Sequence, residues 1–93
     1  MRRAAKVDAN HRQIRTALRQ VGWTVHDLSG AGNGIPDLLC LKAGRVAFVE
    51  VKDGSKVPSA RKLTPDQVAL HEAFTAAGTP VHIVTSVEEA IRL

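Results

Sequence analysis

The feature that most limits what this chain can become is the segment 34–52, in which Gly34-Ile35-Pro36-Asp37 leads into Leu38-Leu39-Cys40-Leu41 and, after Lys42-Ala43-Gly44, into Arg45-Val46-Ala47-Phe48-Val49-Glu50-Val51-Lys52. Two apolar runs of strand length flank a short Gly-bearing connection, which predicts adjacent antiparallel strands. In such a pair the start of the first strand faces the end of the second, so Asp37 and Glu50 come to one end of the hairpin. Side chains alternate along a strand, so Glu50 and Lys52 share a face while Val49 and Val51 point the other way. Two carboxylates and an ammonium therefore converge.

Such a cluster is either a solvated strand end or a site. The apolar neighbours Val46, Phe48 and Val49 favour the site, because charges at the end of a central strand are usually paired or hold a metal. Adjacent carboxylates repel unless a cation lies between them. Hard oxygen donors suit Mg²⁺ or Mn²⁺, which keep several waters and take further ligands from phosphate. The ammonium then orients or activates an attacking water, or steadies charge growing on phosphoryl oxygens.

Ninety-three residues make one domain and leave no room for a second. Thirteen Lys and Arg against nine Asp and Glu give a net charge of +4, which favours an anionic partner such as nucleic acid. Trp23, Phe48 and Phe74 are too few for a base-stacking platform, so affinity is expected to come from phosphates. The single cysteine, Cys40, excludes an internal disulfide and a Cys-based zinc site, and is expected to be a buried thiol. No apolar run approaches the ~20 residues of a membrane span, and the basic N-terminus lacks the apolar stretch of a signal peptide. A cytoplasmic protein with no membrane contact is expected.

Residues 1–7 carry Arg2, Arg3 and Lys6 without apolar periodicity and read as a mobile basic arm ahead of a single domain over 8–93. Ile14, Ala17, Leu18 and Val21 recur at helical spacing, predicting a helix over 8–21 with Asp8 or Asn10 as N-cap and Gly22 as its stop. Arg12, Arg15 and Arg19 form a basic stripe on another face, either simply solvated or in contact with phosphate. Asn10, four residues before Ile14, is either a cap or an inward-facing contributor to a site. Residues 23–28 read as a strand anchored by Trp23, with His26 either structural or a ligand. The Gly-rich loop 29–34 is not a nucleotide cradle, because no helix follows it directly and no Gly-Lys-Ser/Thr occurs. It is expected to let a DNA backbone approach Asp37.

Beyond Lys52, the long loop 53–63 carries Lys56, Arg61 and Lys62, which are expected to clamp phosphate. Thr64-Pro65-Asp66-Gln67 is a helix start with Thr64 as N-cap. Gln67 either completes that cap or, at the end of a stripe with Leu70, Phe74 and Ala77, points at the site. Gly78 ends the helix, residues 80–84 read as a strand, and Ser86 caps a last helix whose Ala90, Ile91 and Leu93 close the core.

Pro36-Asp37 followed by Glu50-Val51-Lys52 resembles the PD-(D/E)XK nuclease signature, and Lys62-Leu63-Thr64-Pro65-Asp66-Gln67 is similar to its VRR-NUC branch, common in phages and bacteria. The resemblance runs roughly from residue 8 to the C-terminus. It implies an α/β restriction-endonuclease-like core, a central mixed β-sheet flanked by helices in the order α-β-β-β-α-β-α. It also implies a metal-dependent DNA endonuclease acting on flap, branched or Holliday-junction DNA, with a homodimer presenting two sites. Asp37 and Glu50 would be ligands of Mg²⁺ or Mn²⁺ and the Val51 carbonyl a further one. Lys52 would position the water and Gln67 would support the cluster. The chain departs from the pattern at the first helix, where many members carry a metal-assisting Glu. No Glu precedes Glu50, so Asn10, His11 or Asp8 would have to serve, which argues against a second metal. The competing expectation is a DNA- or junction-binding module on the same fold that has lost cleavage.

Overall fold

The computed structural model describes residues 9–93, so the basic arm over 1–7 and the capping and site alternatives at Asp8 lie outside the described residues. The elements follow in the order α1 (His11–Gln20), β1 (Thr24–Asp27), β2 (Leu38–Lys42), β3 (Arg45–Val51), a 3-10 turn (Pro58–Arg61), α2 (Pro65–Ala76), β4 (His82–Val84) and α3 (Val87–Ile91). The four strands form one mixed sheet in the order β1-β2-β3-β4. β1, β2 and β3 run antiparallel in sequence, and β4 joins β3 in parallel. This is the α/β architecture and element order that the sequence predicts.

The β2–β3 hairpin closes through Ala43 and Gly44, both with positive φ (47° and 79°), opposite the Lys42–Arg45 pair. That two-residue geometry matches strand twist, which is why so short a connection holds the register. Along β3, Ala47, Val49 and Val51 are buried on the face that also receives Ile14 and Leu18 of α1 and Ala90 of α3. Val25, Leu38 and Cys40 complete this core, and burial pushes the Cys40 thiol up to about 11, so it stays protonated and inert as expected.

The opposite face of β3 carries Phe48 and Glu50, and α2 lies across it. Phe74 meets Phe48 edge to face with ring centroids 4.9 Å apart. No residue of α2 is fully buried, and Ala77 of the expected stripe is exposed. Ile91 is likewise half exposed, because α3 is only five residues long and turns Ala90 alone fully inward. Trp23 anchors the core as expected, with Arg45 and Lys42 stacked over its ring.

Within the Gly-rich loop, Gly34 has a packing role that the sequence did not show. Gly34 has φ +81°, and a Cβ placed on it would lie 2.4 Å from the carbonyl oxygen of Asp66. The glycine lets the first turn of α2 press onto the loop. It thereby sets the distance between Asp37 and the helix that covers the site.

Candidate functional site

The register Leu38↔Val49 brings Asp37 level with Glu50 at the end of the sheet. Two residues further along in the same register, Val51 faces Pro36. Proline has no N–H, so the ladder cannot close there in the ordinary way. The Asp37 side chain takes over: its Oδ2 accepts the Val51 N–H at 2.8 Å. Pro36, opposite Val51, has no N–H to offer the Val51 carbonyl. On the other side of Asp37, its own carbonyl accepts from Leu28 N–H at 2.7 Å, tying the end of β1 to the site.

Glu50 is buried, with 1% of its surface exposed, and a buried carboxylate requires partners. α2 supplies them. Its capping box is complete: the Thr64 hydroxyl accepts Gln67 N–H and Gln67 Oε1 accepts Thr64 N–H. The same Gln67 Oε1 accepts from Lys52 Nζ at 3.0 Å, so the amide oxygen faces two donors and its NH₂ group is turned to Glu50 Oε2 at 3.1 Å. Gln67 thus both completes the cap and hydrogen-bonds with Glu50 and Lys52. One turn on, His71 Nε2 lies 3.3 Å from Glu50 Oε1. Burial, and then the positive charge of Lys52, lower the His71 pKa, with Asp37 opposing. Sequence reasoning passed over His71, although its position four after Gln67 puts it on the same helix face.

The donors suit a hard cation: two carboxylates and a backbone carbonyl, all oxygen. Among the described residues, no three of His, Cys, Asp and Glu gather into a complete metal site. A cation held by Asp37, Glu50 and the Val51 carbonyl would draw the rest of its shell from water and phosphate, as Mg²⁺ and Mn²⁺ do.

Asn10 gives its amide N–H groups to the backbone carbonyls of Lys52 (3.2 Å) and Thr85 (3.1 Å), tying α1 to the ends of β3 and β4. It makes no side-chain cap to α1. Its contribution is to hold the backbone of Lys52. His11 is engaged with β1, its Nε2 lying 2.9 Å from Asp27 Oδ2.

The basic stripe of α1 divides. Arg12 is exposed, but Arg15 turns to the Asp27 carboxylate and Arg19 donates to the Val25 carbonyl at 2.9 Å. Two of the three predicted phosphate contacts thus serve to dock α1 on β1. In the loop after Lys52, Lys56 and Lys62 are exposed, whereas Arg61 is half buried and close enough to Glu89 to help lower its pKa behind the Thr85 N–H and hydroxyl and Arg92. His26 is exposed on β1, level with Phe48 in the register and away from the carboxylates.

A solved structure described as "VRR_NUC domain" superposes on this fold with a TM-score of 0.67 at 34% sequence identity, covering 89% of this chain and 87% of that one. The chain belongs to the VRR-NUC family. VRR-NUC domains are nuclease domains of the PD-(D/E)XK type, and the four-stranded mixed sheet with flanking helices is that restriction-endonuclease-like core. No family sequence profile matches the chain, nor does any curated protein sequence. Among the described residues no helix is long and apolar enough to cross a membrane.

Proposed function

We propose that this VRR-NUC domain is a Mg²⁺- or Mn²⁺-dependent DNA endonuclease that acts on flap, branched or Holliday-junction DNA. The observation that carries this reading is the meeting of Asp37, Glu50 and Lys52 at one sheet end, under the Gln67 amide. Asp37, Glu50 and the Val51 carbonyl would hold the cation. When bound, it would neutralise charge on the scissile phosphate and lower the pKa of a water. Lys52 Nζ, oriented through its hydrogen bond to Gln67, retains N–H groups for the attacking water or a phosphoryl oxygen. In-line attack forms the new P–O bond from water as the P–O bond to the leaving alkoxide breaks. Exposed Arg12, Lys56 and Lys62 are the cations best placed to meet flanking phosphates, with Arg61 beside them and Arg15 and Arg19 contributing charge from behind.

So small a domain covers little duplex, and a homodimer would present two sites to two strands. The half-exposed Leu41 and Val46, at the hairpin end of the sheet face that carries Phe48, are the apolar surface that favours it. One observation favours a second reading, a DNA-binding module without cleavage: Asn10 gives its N–H groups to backbone carbonyls where relatives carry a Glu.

Labelled flap, four-way-junction, single-stranded and duplex DNA in Mg²⁺, Mn²⁺, Ca²⁺ or EDTA separates the two. Cleavage in Mg²⁺ or Mn²⁺ that disappears in EDTA and in Glu50→Gln is the expected result. Tight binding without cleavage in any metal would establish the module instead.

A further inference from the structure

The Glu50 carboxylate is gripped from α2 at both oxygens by donors one helical turn apart, Gln67 Nε2 on Oε2 and His71 Nε2 on Oε1. The arrangement determines which atoms donate. Gln67 Oε1 already accepts from Lys52 Nζ and Thr64 N–H, so only its NH₂ group is left for Glu50. An ionised carboxylate only accepts, so the contact at 3.3 Å needs a proton on Nε2 of His71. Both side chains are shielded, with 12% of His71 and 2% of Glu50 exposed, so water competes poorly for either.

We infer that His71 is a positioning residue of the nuclease site: its Nε2–H, paired with the Gln67 amide, locks the rotation of the Glu50 carboxylate at the sheet end. A carboxylate on a strand end has a broad terminal torsion and, held at one oxygen only, swings about that bond. Held at both, it presents one direction. Partners that orient a ligand in this way typically change metal affinity by about 10–100-fold when removed. His71 acts through its contact with Glu50, which separates this role from the one proposed for Lys52. It also differs from Gln67, which is fixed by the helix cap whether or not a metal binds.

The inference rests on the metal-nuclease reading, and the experiment keeps the two apart. Mn²⁺ binding without DNA is measured by titration calorimetry for the parent, His71→Ala and His71→Gln, and folding is checked by thermal melting. Gln at this position places an amide N–H near the site of Nε2. His71→Ala is expected to bind Mn²⁺ about 10–100-fold more weakly, and His71→Gln within about threefold of the parent. Equal affinity of the parent and His71→Ala would overturn the positioning role. Equal loss in the Ala and Gln variants would overturn it too, since it would trace the effect to packing. In parallel, imidazole ¹⁵N spectra of the metal-free parent are expected to show Nε2 protonated, with a resonance that moves in Glu50→Gln. An unprotonated Nε2 would overturn the clamp whatever the metal does. A parent that shows the clamp in these spectra yet takes up no Mn²⁺ would instead bring down the metal-nuclease reading, and with it the role of the clamp in binding.

Discussion

The backbone N–H of Val51 donates to Oδ2 of Asp37 at 2.8 Å, where the hairpin ladder would otherwise ask for the carbonyl of Pro36. The proline, the aspartate and the strand that carries Glu50 and Lys52 are thus one device. Pro36 ends the ladder, and the Asp37 carboxylate takes its place by accepting the Val51 N–H. A sequence pattern of Pro-Asp in one strand and Glu-x-Lys in the next has a structural reason beyond supplying charges. It builds a polar notch out of the last rungs of a sheet.

Gly34→Ala should destabilise the domain and the site together. The residue sits at φ +81°, and the new Cβ would meet the Asp66 carbonyl, which belongs to backbone and cannot swing aside. Left-handed strain and this clash are each costly, so a loss on the order of 2 kcal/mol is expected, read as a fall in Tm of roughly 10 °C. Gly32, also at positive φ but with open space around it, serves as the control, and Gly32→Ala should cost less. Equal losses would mean that the packing of the loop on α2 contributes nothing.

The hairpin, the Thr64 cap and the convergence of Asp37, Glu50 and Lys52 were legible because each depends on local spacing: alternation in strands, a two-residue turn, a cap three residues before Gln67. What escaped depends on partners distant in sequence. Nothing near Gly34 reveals that Asp66 will press on it. The stripe of Arg12, Arg15 and Arg19 looks uniform until β1 brings Asp27 to Arg15 and the Val25 carbonyl to Arg19. His71 was hidden by the apolar residues around it, since a search for a buried stripe favours Leu70 and Phe74 over the polar residue between them.

Asp27 should account for part of the acid sensitivity. Burial raises its pKa, but the hydroxyl and N–H of Ser29, followed by the hydrogen bond and charge of His11, outweigh this and hold the carboxyl well below its usual range. A carboxylate depressed in the folded state adds stability above its unfolded value of about 3.9, and that stability is lost as pH falls toward the folded value. Asp27→Asn should therefore be less stable than the parent at pH 7, by on the order of 1 kcal/mol for a partly exposed group. The gap should narrow as the pH is taken from 7 to 3. Urea unfolding across that range measures it, and a gap independent of pH would show that the Asp27 network is not held by charge.

Asp37→Asn tests the convergence of the carboxylates without any DNA. Asp37 and Glu50 lie side by side at the sheet end, and even with Lys52 close by, their repulsion in metal-free protein should cost on the order of 1 kcal/mol after screening. Asparagine keeps an oxygen to accept the Val51 N–H, so the ladder substitute survives while the charge goes. The variant should accordingly melt above the parent in EDTA. Millimolar Mn²⁺ should shrink or reverse this order, because a metal stabilises only the protein that binds it, by roughly 2.7 kcal/mol when the ion is at a hundredfold its dissociation constant. Melting curves of both proteins, in EDTA and over a Mn²⁺ series, give the answer directly. If Mn²⁺ raises the two melting temperatures equally, Asp37 is not a ligand, and the binding-module reading takes precedence over the nuclease one.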